Sequence, residues 1–106
     1  MLTRVARAYL QLWEDPVTGD AVRSLLRAAV GSQRASFMLR NYFTGKVSRP
    51  DVPEERRLGL TLAASHLLGT AVGRYLVGVP ALSAIPLEEL VHRVAPAIGR
   101  YLDMAE

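Results

Sequence analysis

Sixteen consecutive residues, Leu58 to Gly73, carry no Asp, Glu, Lys or Arg, and nothing in them breaks a helix. A helix uncharged all round has to be covered on more than one side. Ser65, Gly69 and Gly73 recur at a spacing of four, so small residues line one stripe where a neighbouring helix comes close. Lipid is the wrong cover, because a bilayer crossing takes about 20 apolar residues. His66 lies inside the run, Arg74 closes it, and Pro80 and Pro86 break the uncharged stretch that follows. The expected cover is protein, and no membrane association is expected.

Helical periodicity continues on both sides of this segment. A first block runs from about Leu2 to Trp13, with Leu2, Val5, Ala6, Tyr9, Leu12 and Trp13 on one stripe, and stops at Glu14-Asp15-Pro16. Thr18 is the expected N-cap of a second block, whose stripe is Val22, Leu25, Leu26, Ala29 and Val30. A third covers roughly Gln33 to Val47, with a broad face of Phe37, Met38, Leu39, Tyr42 and Phe43. Ser48 to Pro53 reads as a loop. The fourth and longest block extends from about Pro53 to Gly78, with Glu54 and Glu55 suiting its first turn. Val79 to Pro86 is turn-rich, and a fifth block follows to Leu102, carrying Leu87, Leu90, Val91, Val94, Ile98, Tyr101 and Leu102, with Pro96 inside. No strand-like alternation of useful length occurs. The expected fold is all-α: one domain over residues 1–106, a bundle of about five helices whose last two form a dimer interface.

Bulk properties point the same way. Half of the 106 residues are hydrophobic, and a small chain this apolar commonly covers its surface by oligomerising. There is no cysteine, which excludes disulfides and thiolate chemistry and is compatible with a reducing cytoplasm; the N-terminus shows no secretory pattern. The net charge of +3 comes from basic residues dispersed along the chain, which read as solvated helix faces rather than a nucleic-acid surface.

The run Val5-Ala-Arg-Ala-Tyr-Leu-Gln-Leu-Trp-Glu-Asp-Pro16, then Thr18 to Ala29, resembles the middle of a TetR-family regulator. Ala63-Ala-Ser-His-Leu-Leu-Gly69 with Tyr75-Leu76 resembles that family's long dimerisation helix. Leu87-Glu-Glu-Leu-Val91 through Pro96 to Tyr101-Leu102 resembles its closing helix. The resemblance implies a C-terminal effector-binding and dimerisation domain of a transcriptional repressor, working as a cytoplasmic homodimer. It also implies an N-terminal helix-turn-helix for which this sequence has no segment. The chain is therefore not expected to touch DNA directly.

The candidate effector pocket uses aromatic and soft side chains, Trp13, Phe37, Met38 and Tyr42, with His66 as the polar handle for a small apolar molecule. The candidate dimer interface is Ser65, Gly69, Val72 and Gly73 with Leu90, Val94 and Ile98. His66 and His92 have no metal-ligand spacing, so neither metal nor cofactor is expected. Ser65 and His66 point about 100 degrees apart on a helix, wrong for a nucleophile and its base, and no enzyme is expected. The competing function is a stand-alone helical dimerisation module with a filled core and no effector.

Overall fold

The computed structural model describes residues 1–47 and 52–103, with the backbone alone described at residues 39 and 42–47. Among the described residues all regular structure is helical: α1 (Leu2–Glu14), α2 (Pro16–Gly31), α3 (Gln33–Val47), α4 (Glu54–Ala71), α5 (Pro80–Ala84) and α6 (Leu87–Leu102). A wide π-turn, Val72–Val77, extends α4. No described helix is long and apolar enough to cross a membrane. Overall dimensions of 36 × 35 × 20 Å make a slab two helices thick.

The core is built by three helices. α6 packs against both α1 and α4, and among the described residues every buried hydrophobic side chain comes from these three. α1 supplies Leu2, Ala6, Leu10 and Trp13, a spacing of four, four and three that keeps one face turned inward. This corrects the expected stripe: Leu10 is fully buried, whereas Val5 and Leu12 are about half exposed. α6 gives Leu90, Val91, Val94, Ala95 and Ile98, and α4 gives Ala63, Leu67 and Ala71. Gly59 lets α4 meet the end of α6, since a Cβ there would run into the Tyr101 carbonyl.

Local chemistry sets the helix ends. α2 begins three residues before the expected Thr18 cap. The Asp15 carboxylate accepts from the backbone N–H of Val17 and Thr18, and Pro16 takes the first helical position. The Thr18 hydroxyl instead donates back to the Leu12 carbonyl, fastening the corner between α1 and α2. The π-turn ends at Gly78 with φ 78°, whose N–H, like that of Val79, reaches the Gly73 carbonyl. Where a turn-rich stretch was expected, Pro80 starts the short α5, with the Val79 carbonyl accepting from Leu82 and Ser83. α6 continues through Pro96, which faces solvent.

α2 and α3 form a limb in which the two helices pair with each other, α2 also packs along α1, and α3 touches α4 lightly. Within it only Gly19 is buried among the described side chains, while Val22 and Leu26 lean on the core. The expected loop at Ser48 to Pro53 lies largely outside the described residues.

Candidate functional site

The expected pocket residues are dispersed. Trp13 is buried and stacks on Tyr75, ring centroids 5.9 Å apart and nearly parallel. His66 belongs to a different pair: its ring lies 5.7 Å from that of Tyr101, with Nδ1 3.4 Å from the phenol oxygen. Phe37 and Met38 are 54% and 59% exposed on the outer side of α3. The Tyr42 side chain, like that of Phe43, lies outside the described residues.

Open grooves are found at two places among the described residues. One, of about 670 Å³, runs between the start of α4 and the end of α6, walled by Leu58, Gly59, Leu62, Arg100 and Tyr101, and none of the expected pocket residues borders it. The other, of about 470 Å³, is a shallow trough on α3 lined by Gln33, Arg34, Ser36, Phe37 and Arg40. Phe37 is thus the expected ligand residue that borders a groove.

A polar cluster that the sequence reading missed stands beside Trp13. The Tyr75 hydroxyl donates to Glu14 Oε2 at 2.6 Å. Arg74 pairs with the same oxygen at 3.5 Å, donates to the carbonyls of Leu82 and Ile85, and lies over the Tyr75 ring. Burial, with help from the Glu14 bond, pushes the Tyr75 hydroxyl up to about 12. Ser83 donates to the Arg74 carbonyl. The π-turn therefore holds α1, α4 and α5 together through long-range polar bonds. The signal available in sequence was Arg74 itself, the charge that ends the uncharged run.

The expected dimer residues divide in two. Leu90, Val94 and Ile98 are buried in the chain's own core against α1 and α4, so a second chain has no access to them. Gly73 is covered by the Leu82 side chain, and Val72 packs on the core margin. Ser65 and Gly69 are exposed, and a Cβ added at Gly69 would meet nothing. They share a face with Leu58, 68% exposed, and Leu62. On α6 the exposed Tyr101 and half-buried Ala97 stand beside it.

These features define a small helical domain whose longest helix is walled by the core on one side and bare on the other. Residues 1–102 match the family model described as tetracyclin repressor-like, C-terminal domain, and the chain belongs to that family. Domains of this family are regulatory parts of transcription regulators and typically dimerise and bind small-molecule effectors. No curated protein and no solved structure gave a match.

Proposed function

We propose that residues 1–106 act as one domain: the effector-sensing and dimerising part of a cytoplasmic TetR-like repressor, whose DNA contacts are made by a different domain. The observation that carries this reading is the bare side of α4, where Leu58, Leu62, Ser65 and Gly69 form an apolar, small-residue stripe. A two-fold partner covers such a stripe with its own copy, since a self-complementary face closes as a dimer. Tyr101 and Ala97 of α6 would border the contact, in place of the buried Leu90, Val94 and Ile98.

Sensing needs a link from ligand to partner, and the ligand must favour one packing of the helices over another. The Glu14–Tyr75–Arg74 cluster offers that link, because it ties the corner after α1 to the end of α4. Trp13 would serve as a wall of this coupled region rather than as an open pocket surface.

The dimer is tested by light scattering at micromolar concentration on the wild type and Gly69→Trp. The expected result is a wild-type dimer and a variant monomer of unchanged helicity, since Gly69 touches nothing within its own chain. A monomeric wild type ends the dimer reading. One observation favours the competing module without an effector: Trp13, expected in the pocket, is spent on packing against Tyr75. A thermal-shift screen of small molecules in which nothing raises the melting temperature would decide for that module.

A further inference from the structure

Charge in this chain is divided more sharply than its total suggests. Residues 21–50 contain six basic residues (Arg23, Arg27, Arg34, Arg40, Lys46 and Arg49) and no Asp or Glu, a charge of +6. The remaining seven basic and ten acidic residues give −3, which sums to the net +3. The α2–α3 limb itself, residues 16–47, holds five of these basic residues and one acid, Asp20, so it is a cationic appendage of charge +4 on a remainder of −1. Among the described residues, Arg23 is paired with Asp20, but no carboxylate pairs with Arg27, Arg34 or Arg40.

These free cations are mixed with exposed apolar side chains. In the shallow trough on α3, Arg34 and Arg40 flank Phe37, and the Arg40 guanidinium lies 6.0 Å from the Phe37 ring centroid. Six residues of helix separate the two arginines, a rise of about 9 Å. Met38, the next residue, is also exposed but points about 100 degrees away from Phe37 and does not line the trough, and Val30 at the end of α2 is 90% exposed. A helix lying in a membrane surface puts its cations and its apolar residues on opposite faces. Here they alternate within one trough, which suits a compact ligand. Single-stranded nucleic acid wants a run of aromatic platforms; the described side chains of the trough supply one ring.

We infer that this trough binds a free anionic amphiphile, with its acidic head on Arg34 and Arg40 and its apolar body on Phe37. The inference rests on the sensing reading above and names the chemical class of its effector. It replaces the wholly apolar molecule expected from the sequence with one carrying a negative charge. Guanidinium groups present paired donors to a carboxylate, and such charge-assisted bonds are shorter and stronger than neutral ones.

The test uses decanoate, decanol and decyltrimethylammonium, each below its micelle-forming concentration, titrated calorimetrically into the whole chain. Decanoate is expected to bind at least about tenfold more tightly than decanol, the worth of one charge-assisted contact, and to weaken as salt rises. The double variant Arg34→Gln/Arg40→Gln should bring decanoate down to the decanol level and leave decanol unchanged. Phe37→Ala should weaken both. All three side chains are on the surface, so the variants should keep their circular dichroism spectrum.

Equal affinity for decanoate and decanol, or a double variant that binds like the wild type, overturns the inference while leaving a sensor of other specificity standing. Failure of all three compounds to bind overturns the inference, while the sensing reading stands or falls separately by the thermal-shift screen. Tight binding of phosphatidylglycerol vesicles or of a single-stranded oligonucleotide, with no binding of decanoate, overturns it in favour of a macromolecular partner.

Discussion

The three-helix body and the α2–α3 limb are made from similar amounts of apolar sequence, yet they use it differently. α1, α4 and α6 bury a dozen hydrophobic side chains among themselves. In the limb, Val30, Phe37 and Met38 are left largely in solvent. The difference is one of layers: α6 packs between α1 and α4, whereas α3 has little beyond α2 to pack on. The body's apolar residues are largely committed to folding, apart from such exposed positions as Leu58 and Leu62 on the bare side of α4. Those three of the limb remain free to bind something, and the same limb holds Arg27, Arg34 and Arg40, which no carboxylate pairs among the described residues.

Truncating one residue from each region tests that contrast most strongly. Trp13→Ala should cost about 3–5 kcal/mol, as a large buried aromatic does, and Phe37→Ala within about 0.5 kcal/mol. Urea unfolding followed by circular dichroism measures both. Similar losses at the two sites would mean that the limb is as much part of the core as α1.

Gly59→Ala comes next. The added methyl would press on a backbone carbonyl rather than a side chain, so α4 and α6 have to separate. Overpacking of this sort costs about 1–3 kcal/mol. Gly69→Ala on the bare side of the same helix should cost the isolated chain nothing, because no atom stands near. Comparing the two by thermal melting separates the covered side of α4 from the open one.

How far the sequence disclosed this arrangement depends on what each element answers to. The spans of α1, α3 and α6 and the start of α4 followed from periodicity and proline positions, which are local. Local chemistry also governs the Asp15 cap, but Thr18 and Asp15 are both good caps, and the adjoining Pro16 tips the choice to Asp15. The inward stripe of α1 was harder to read. Leu2, Val5, Ala6, Tyr9, Leu10, Leu12 and Trp13 spread over too wide an arc, and the position of α6 selects which of them is buried. For the same reason Leu90, Val94 and Ile98 read as an interface: an apolar stripe does not say whether its partner is in the same chain. The π-turn was beyond reach, because the bonds that hold it link residues up to 61 positions apart.

That turn gives a smaller test, within the body, where it is tied to the end of α1. Tyr75→Phe keeps the stack on Trp13 and removes the bond to Glu14, so it should cost about 1 kcal/mol, the value of a partly solvated hydrogen bond. The folded protein holds the Tyr75 proton up to about 12, against an ordinary value of 10.0. A raised value means stability that is complete below about pH 10 and is lost as pH rises toward 12. Chemical denaturation at pH 8 and pH 11 should show wild type and variant converging at the higher pH. A constant gap would place the hydroxyl's contribution elsewhere.

The smallest effect belongs to the surface pair that clips α1 to α6. Arg7 donates from Nε and Nη2 to both oxygens of Glu88, at 2.8 and 2.7 Å, and this hydrogen bonding holds the Glu88 carboxyl below the usual glutamate range. A lowered value means a contribution present at neutral pH that disappears as acid titrates the carboxylate. Glu88→Gln should therefore lower the melting temperature slightly at pH 7 and not at all near pH 2. Exposed pairs of this kind are screened, so raising the salt at pH 7 should also close the gap. If the gap survives both acid and salt, the side chain acts through packing on α1. The seam would then belong to the body's core rather than to its solvated edge.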